Sequence, residues 1–377
     1  MKVLVAIDSF KGSASSQEMN DYLSTGLRKN NKNIEIIQYP VADGGEGTLE
    51  ALCSNKHCRV HKTLIPDIYG KKTYANYGIF SHDTVILEVA QSSGIHFVSS
   101  VEDPMTASSY GLGILIKYIV AEHPTIRKFV IGLGGSGIND AGIGMMKALG
   151  ISFMDQNNQE IPLGIEGIND ICHINSTGLS EDVLDKEFIL LSDVTNTLYG
   201  PEGATYTFGK QKGIKNIEEV DQAIQFYSLA LKEKYKKDYS AVPGTGAAGG
   251  IGISFLYFLN ASFVSGADYI LDFIGIEEAI PQVDLIITGE GKIDNQTGYG
   301  KLPIVVAKRG KHFNKPVIAI AGDASNVGEN VYNQGIDLVY SICKGPISLE
   351  ESINNTKERT IQVGEDIFRM VTIFNKN

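Results

Sequence analysis

Apolar and polar positions at the start of the chain predict alternating strands and helices. Residues 3–7 form a short apolar run, and a polar loop follows it. A helical repeat of apolar residues comes next, and Ser15 with Glu18 predicts a capping box at its start. Residues 34–39 repeat the apolar run and end in a glycine loop that carries acids. This order is typical of a wound α/β sheet, in which ligands bind beyond the carboxyl ends of the strands.

The pattern changes in the middle of the chain and returns in its last third. From about residue 62 the chain has short strands that are rich in Tyr and Thr. Apolar runs followed by polar loops reappear at residues 284–288, 316–321 and 337–342. We therefore predict an α/β fold with two domains, a split Rossmann-like domain with a wound parallel sheet and a second α/β domain inserted into it. The predicted bounds are residues 1–62 plus 262–377 for the split domain and residues 63–261 for the inserted domain.

A glycine-rich stretch at residues 132–144 stands between an apolar run and a helical repeat. A strand, a tight glycine turn and a helix N-terminus in this order place backbone amides and the helix dipole where they can bind phosphate. Asn139 and Asp140 lie where a helix N-cap is expected, so a structural capping role is one interpretation. Their oxygens also suit Mg²⁺, which accompanies phosphate, and the two interpretations stay open.

Composition limits the partners of the chain. Its 377 residues include 44 acidic and 33 basic side chains, which give a formal net charge of -11. This charge argues against nucleic acid or an anionic membrane as the main partner. No apolar run approaches the ~18 residues of a membrane helix, and the N-terminus has no signal-peptide pattern. We expect a cytoplasmic monomer or homodimer that binds small molecules, without a membrane or nucleic-acid partner.

Polar residues recur at the predicted strand ends, and their number favours phosphoryl transfer. The pattern G-x-G-x-x-G occurs near residue 132 and again near residue 244, so it is too weak to establish a nicotinamide or flavin enzyme. Hydride transfer hardly needs so many carboxylates, whereas a kinase uses them to hold a magnesium nucleotide and to accept a proton. We favour a small-molecule kinase over a dehydrogenase, and a non-catalytic regulator that binds nucleotide or metabolite is a further alternative. The strand-end groups are Asp8/Lys11, Asp43/Glu46, Asn139/Asp140, Asp193/Asn196 and Glu290/Lys292/Asp294.

Six blocks of sequence carry a resemblance to a known family. They read DSFKGS, PVADGGEGT, GLGGS, DVTN, PGTGAAGG and TGEGKID, and they follow one another from Asp8 towards Lys301. In these blocks the chain resembles the glycerate kinase family of bacterial type. The resemblance implies two α/β domains with the active site in the cleft between them, and phosphorylation of D-glycerate by ATP and Mg²⁺, commonly at the 2-hydroxyl. A kinase for another short hydroxy acid is the alternative.

The chain departs from the usual family pattern at several positions. Gly137 and Ile138 stand in the central loop where Ala and Thr are usual, so Ser136 is expected to contribute more of the phosphate contact. Lys292 stands where arginine is common, and a lysine makes a point-charge contact instead of a bidentate one, so recognition of a carboxylate is expected to be looser. No acidic residue of the pattern is lost, and we expect activity.

Each site residue has an expected role. Asp193, at the tip of a predicted buried strand, is the preferred base for the substrate hydroxyl, with an Asx cap as the alternative. Lys11 and Lys292 are catalytic candidates that bind the glycerate carboxylate or a nucleotide phosphate. The expected nucleotide- and phosphate-binding residues are Gly134, Gly135, Ser136, Asn139, Gly246 and Gly249. The expected substrate-binding residues are Asp8, Ser9, Asp43, Asn196, Gln296 and Thr297. The expected Mg²⁺ ligands are Asp140, Glu290 and Asp294.

Overall fold

The chain forms two compact units, which we name unit 1 and unit 2. The structure is a computed structural model that describes residues 1–29, 33–295, 297–345 and 347–374. Unit 1 comprises Met1–Asp43, Glu50–His57 and Gly266–Asn377, and unit 2 comprises Gly44–Leu49 and Cys58–Ser265.

Both units combine strands with helices. The strands are β1 (Lys2–Ile7), β2 (Glu35–Gln38), β3 (Arg59–Pro66), β4 (Lys72–Phe80), β5 (Thr84–Glu88), β6 (Lys128–Gly132), β7 (Ser152–Met154), β8 (His173–Asn175), β9 (Glu187–Leu191), β10 (Ser262–Val264), β11 (Leu285–Asp294), β12 (Val317–Asn326) and β13 (Leu338–Ser341). The helices are α1 (Ser16–Arg28), α2 (Thr48–Asn55), α3 (Ala90–Ser93), α4 (Tyr110–Glu122), α5 (Ile143–Ala148), α6 (Glu181–Leu184), α7 (Ala204–Phe208), α8 (Ile217–Tyr235), α9 (Gly252–Phe258), α10 (Gly266–Ile274), α11 (Leu302–His312), α12 (Glu329–Asn333), α13 (Leu349–Asn354) and α14 (Thr356–Phe374).

The sheet of unit 1 is parallel and joins the two ends of the chain. Its strand order is β13-β12-β11-β1-β2, so β1 from the N-terminus pairs with β11 from the last third. The apolar run that predicts β1 is buried in the sheet, where Val3 and Val5 join one core cluster with Leu23 of α1 and Val363 of α14. Parallel strands covered by helices are buried on both faces, which explains the continuous apolar run.

The helix α1 begins as the sequence predicts. The Ser15 hydroxyl accepts a hydrogen bond from the Glu18 amide, and the Glu18 carboxylate accepts one from the Ser15 amide at 2.8 Å. These two bonds form the predicted capping box and satisfy two amides that a helix N-terminus leaves unpaired. The box therefore fixes where the chain enters α1 after the loop that follows β1.

The strands β11 and β12 extend further than the sequence predicts. We expected a strand over residues 284–288 and then a glycine loop, but β11 continues to Asp294 and β12 to Asn326. The two strands stay paired beyond the glycines, where Lys292 is opposite Asp323, with a register shift before Asp294. The polar residues of this stretch are therefore held on a strand end and not on a free loop.

The main sheet of unit 2 is mixed. Its order is β10-β9-β6-β5-β4-β3, with parallel pairing from β5 to β10 and antiparallel pairing among β3, β4 and β5. Aromatic rings fill its core, where Phe129 and Phe188 stack with centroids 5.0 Å apart and Phe188 meets Phe255 of α9 at 5.8 Å. The predicted fold class, mixed α/β with parallel sheets, is confirmed. In the described residues, no helix combines the length and the apolar character that crossing a bilayer requires.

Candidate active site

Three acidic side chains gather at the carboxyl end of the unit 1 sheet. Asp8 follows β1, Asp43 comes after β2, and Glu290 lies on β11, which is a neighbour of β1. Burial and the negative charges of Asp43 and Glu290 raise the pKa of Asp8 well above its usual range, although the Ser9 amide and Lys11 act in the opposite direction. Burial is also the main cause that raises the pKa of Glu290. This concentration of partly buried acid suits a cation.

Lysines surround these acids and stay accessible. The Nζ atom of Lys301 lies 3.8 Å from Oε1 of Glu290, and the Nζ atom of Lys292 lies 3.3 Å from Oδ2 of Asp294. The side chains of Lys301 and Lys292 are 44% and 57% exposed, and Lys11 is exposed as well. Their ammonium groups can therefore also bind an anionic ligand.

Thr297 holds the Glu290 carboxylate through its hydroxyl group. Its side chain is fully buried, and its hydroxyl donates to Oε1 of Glu290 at 2.7 Å and accepts from the Asp294 amide at 3.2 Å. The two bonds fix the Glu290 carboxylate against the end of β11. Gln296, which we also expected to bind substrate, lies outside the described residues.

A groove of about 1020 Å³ lies at this end of unit 1. One part of it brings together residues that the sequence analysis selected, and the other part is lined by both hydroxyl and apolar side chains from residues 341–356. The groove is thus large enough for a ligand of nucleotide or substrate size. The selected residues in the groove are Asp8, Ser9, Lys11, Asp43, Glu290 and Lys292.

The glycine stretch of unit 2 forms a close turn after β6 with unbonded amides. A Cβ atom at Gly134 would lie 2.5 Å from the Cα atom of Gly45, and Gly135 has a left-handed φ of 72°. In the part of the chain that the structure describes, the amides of Gly134, Gly135 and Ser136 donate no hydrogen bond. Consecutive unbonded amides in a turn form the concavity that phosphate oxygens bind.

Lys212, which the sequence analysis missed, lies against this turn. Its side chain is 2% exposed, and Nζ donates to the Ile138 carbonyl at 2.7 Å and to the Ser136 hydroxyl at 3.2 Å. Burial lowers the pKa of Lys212 from 10.5 to about 7, and the charge of Asp140 opposes that shift. The residue ends a single 3-10 turn, Lys210–Lys212. Unit 2 therefore places a buried cation next to the predicted phosphate turn.

Asn139 has one satisfied and one unsatisfied side-chain atom. Its Nδ2 atom donates to the Thr205 hydroxyl at 2.9 Å, while its buried Oδ1 atom has no hydrogen-bond partner among the described residues. The second glycine loop packs on this region, because the Ala141 amide donates to the Gly249 carbonyl at 3.0 Å and Gly249 has a φ of 68°. Gly249 thus supports the first loop.

Asp140 has the contacts of a structural carboxylate. It is fully buried, and its oxygens accept hydrogen bonds from the Ser109 amide at 2.7 Å, the Ser109 hydroxyl at 2.8 Å and the amides of Gly142 and Gly144 at 3.1 and 3.2 Å. Burial raises the pKa of Asp140, and these hydrogen bonds lower it. These contacts engage the amides at the start of α5, and the magnesium role of Asp140 stays a prediction.

Asp193 and Asn196 lie in the loop after β9. Asp193 is half-buried. Asn196 organises the loop, since its Nδ2 atom donates to the Glu202 carbonyl at 2.7 Å and to the Thr207 hydroxyl at 3.2 Å. The backbone carbonyl of Asn196 accepts a hydrogen bond from the Gly246 amide at 3.0 Å. The amide of Gly246 is therefore already bonded within the protein, unlike those of the first glycine turn.

The selected residues thus form two sets, an acid and lysine set in unit 1 and an amide and Lys212 set in unit 2. Among the residues that the structure describes, no group of three or more His, Cys, Asp or Glu side chains is arranged to hold a metal ion. Unbonded glycine amides and accessible lysines suit phosphoryl groups, and carboxylates suit the cation that accompanies them. Together the two sets are typical of an α/β phosphotransferase.

Comparisons with known proteins give the family. The model of the Glycerate kinase family matches residues 3–372. The chain is 35% identical to a glycerate 2-kinase of Escherichia coli (strain K12), with 100% of both chains covered, and 34% identical to a glycerate kinase of Bacillus subtilis (strain 168), with 97% of both covered. A crystal structure from Salmonella typhimurium LT2, assigned provisionally to glycerate kinase 2, matches all of both chains with a TM-score of 0.85 and 33% identity. The chain belongs to the glycerate kinase family, and it is a kinase.

Proposed function

We propose that this kinase transfers the γ-phosphoryl group of ATP to D-glycerate and forms 2-phosphoglycerate, with Mg²⁺ as the required cation. The observation that carries the proposal is the groove of unit 1, which holds Asp8, Asp43 and Glu290 together with accessible lysines in a member of the glycerate kinase family. D-glycerate is a small anion with two hydroxyls, so lysines suit its carboxylate. A magnesium nucleotide needs the carboxylates.

The donor set of the groove fits Mg²⁺ as kinases usually hold it. Proteins bind Mg²⁺ with one or two carboxylates, and water and substrate phosphates complete the coordination. A site of this kind needs no cluster of three acids, and none is present among the described residues. Glu290 and Asp43, which line the groove, would hold the ion, and Asp294 at the end of β11 is a further candidate. The ion would neutralise charge on the phosphates of ATP.

The remaining roles follow from charge and position. Lys11 and Lys292 would bind the carboxylate of D-glycerate or a phosphate of the nucleotide, and the amides of the Gly134 turn would bind phosphate oxygens. Asp193 would accept the proton of the 2-hydroxyl while the hydroxyl oxygen bonds to the γ-phosphorus. The bond from that phosphorus to the bridging oxygen breaks, and ADP leaves with the electron pair.

A coupled assay of ADP release tests the proposal. We expect turnover with D-glycerate, no turnover when EDTA removes Mg²⁺, and 2-phosphoglycerate as the product in phosphorus NMR. L-glycerate, lactate and tartronate serve as competing acids. A higher kcat/KM for one of them would support the alternative of another short hydroxy acid, which the point charge of Lys292 favours. The absence of ADP release with all of these acids, at every Mg²⁺ concentration tested, would contradict the kinase proposal.

The base is tested by Asp193→Asn beside Asp185→Asn, a control at an exposed acid of the same unit. Loss of a general base lowers kcat by about 10²–10⁴-fold, so we expect a decrease in that range for Asp193→Asn and none for the control. Equal kcat values for the wild type and Asp193→Asn would assign the proton to another acid.

A further inference from the structure

Lys212 is a buried cation with uncharged partners. Lysine side chains are almost never fully buried unless an acid pairs with them. In the described part of the chain, the hydrogen bonds of the Lys212 ammonium go instead to a backbone carbonyl and a serine hydroxyl. The acid whose charge acts on it, Asp140, is itself bonded to Ser109 and to two glycine amides. Among the described residues, no acid therefore lies within 4.0 Å of the Lys212 ammonium to form an ion pair.

The chemistry of the ammonium fixes the direction of the Ser136 hydroxyl. An ammonium group only donates hydrogen bonds, so the Ser136 oxygen must be the acceptor of this one. The hydroxyl hydrogen then points elsewhere, and among the described residues it has no acceptor. Lys212 also donates to the carbonyl of Ile138, two residues after this serine, at 2.7 Å.

We propose that Lys212 is a positioning residue for phosphoryl binding: it holds the Ser136–Ile138 segment so that the turn presents donors, the Ser136 hydroxyl and the amides of Gly134–Ser136, to an anion. The inference rests on the proposed function and adds a residue to it. Two further observations agree with an anionic ligand. Unbonded amides adjoin the buried charge, and the pKa of Lys212 is lowered to about 7, so that an anion would stabilise its protonated form.

The first test measures anion binding without turnover. Inorganic phosphate is titrated against the whole chain, and the midpoint of thermal unfolding is followed for the wild type, Lys212→Met and Lys210→Met. Lys210 is a matched control, because it lies in the same 3-10 turn, carries the same charge and is exposed. Phosphate also stabilises proteins by exclusion from their surface, so the difference between variants is the relevant quantity. We expect a phosphate-dependent rise in the wild type and Lys210→Met and a smaller one in Lys212→Met.

The second test measures catalysis in the same variants. Removing one preorganised donor to a phosphoryl or oxyanion group costs about 10²–10³ in kcat, so we expect a decrease of about 100-fold for Lys212→Met. The KM for D-glycerate should change by less than about threefold, because the turn that Lys212 holds is proposed to bind the transferred group and not D-glycerate. Lys210→Met should keep the kcat of the wild type.

A double-mutant cycle separates positioning from general packing. If Lys212 acts through Ser136, then Lys212→Met combined with Ser136→Ala costs much less than the product of the two single effects. Strictly multiplicative effects would overturn the inference. The inference would also be overturned if Lys212→Met kept both the phosphate response and the kcat of the wild type. The absence of any phosphate response in the wild type would overturn it as well. If Lys212→Met does not fold, Ser136→Ala decides, since an unchanged phosphate response in that variant also overturns the inference.

The phosphate titration keeps this inference distinct from the proposed function. Suppose that the wild type does not turn over D-glycerate and that its phosphate response is lost in Lys212→Met. This outcome would contradict D-glycerate as the substrate and support the positioning role of Lys212. A wild type that turns over D-glycerate with an unaffected Lys212→Met variant would do the reverse.

Discussion

Buried charges stand at the strand ends and turns of both units. In unit 1, burial raises the pKa of Asp8 and Glu290, and in unit 2 burial lowers the pKa of Lys212. Each shift disfavours the charged form of the group, so the folded chain holds these residues at a cost in stability. Residues of this kind at the ends of parallel strands are candidates for ligand binding, because nothing in packing alone requires them.

The cost of burying Lys212 predicts a pH dependence of stability. The pKa of Lys212 is about 7 in the folded chain against an ordinary value of 10.5. Between these two values the unfolded chain binds more protons, so the free energy of unfolding should rise with pH there, by at most about 1.4 kcal/mol per pH unit. Below pH 7 both states are protonated and the contribution is constant. Urea unfolding of the wild type and Lys212→Met from pH 6 to pH 9 measures the difference.

The comparison with Lys212→Met isolates this one group, because all other titrating residues are the same in the two proteins. We expect Lys212→Met to be at least as stable as the wild type at pH 6, since the substitution removes a charge whose burial is unfavourable enough to lower the pKa of Lys212. Stability curves of the two proteins that run parallel over the whole range would contradict the prediction.

Glu290 predicts a change in the magnesium requirement. If its carboxylate holds Mg²⁺, Glu290→Gln should raise the Mg²⁺ concentration for half-maximal activity by about 10-fold or more. The amide keeps the size of the side chain and can still accept from the Thr297 hydroxyl. Glu329→Gln, at an exposed acid of the same unit, is the control. A requirement that is the same in both variants would exclude Glu290 as a ligand.

The two glycine loops depend on each other, which predicts the effect of Gly249→Ala. At this position a Cβ atom would collide with the Ile138 carbonyl oxygen and would lie 2.6 Å from the Asn139 Cα atom, and both neighbours are backbone. Gly70→Ala is a matched control, since Gly70 also has a positive φ, of 81°, but has open space around it. The left-handed conformation costs about 1–2 kcal/mol in both variants.

The collision occurs in Gly249→Ala and not in Gly70→Ala. We therefore expect Gly249→Ala to lower the free energy of unfolding by about 3 kcal/mol or more in total. Because Ile138 accepts from Lys212, the displaced loop should also lower kcat, whereas Gly70→Ala should keep it. Chemical unfolding and the ADP assay measure the two effects. Equal losses of stability in both variants would show that the loops can separate without cost.

The elements differ in how far the sequence predicts them. Apolar periodicity and capping residues predict α1, because a helix start depends on neighbours in the sequence. The length of β11 depends on pairing with β12, and the sequence reads as a loop at Gly289 and Gly291 because glycine is common in turns. The alternation of Glu290, Lys292 and Asp294 with a buried Ile293 was the signal that could have extended the strand.

The candidate site shows the same limit. Residues at strand ends, such as Asp8, can be selected from sequence because the strand and its loop are adjacent in the chain. Lys212 could not be selected from sequence, because its contact with Ser136 joins residues 76 positions apart. The turn that contains Lys212 also carries no sequence motif that indicates a binding residue. Lys212 is buried at the end of the turn that follows α7, and burial of this kind depends on residues distant in sequence, which local pattern does not encode.

At the scale of the whole molecule, the two units use the chain differently. All strands of the main unit 2 sheet lie between Arg59 and Val264, and its core cluster runs from Ile65 to Ala261. The unit 1 sheet instead needs both ends of the chain, since β1 pairs with β11 and Val3 lies opposite Leu285. A unit that has its own core and whose segments lie close together in the sequence can fold alone, whereas unit 1 needs segments from both ends of the chain.

This division predicts the behaviour of fragments. A fragment of residues 44–265 contains every strand of the main unit 2 sheet and the segment in which the Leu49 amide binds Glu88 at 2.8 Å. We expect it to unfold in one cooperative transition with a free energy of about 5–15 kcal/mol. A fragment of residues 1–57 has β1 and β2 but lacks β11, so β1 would expose one unpaired edge, and we expect no cooperative transition for it. Circular dichroism during heating and urea titration measures both. A fragment of residues 44–265 that melts without a transition would show that unit 2 depends on the rest of the chain for its stability.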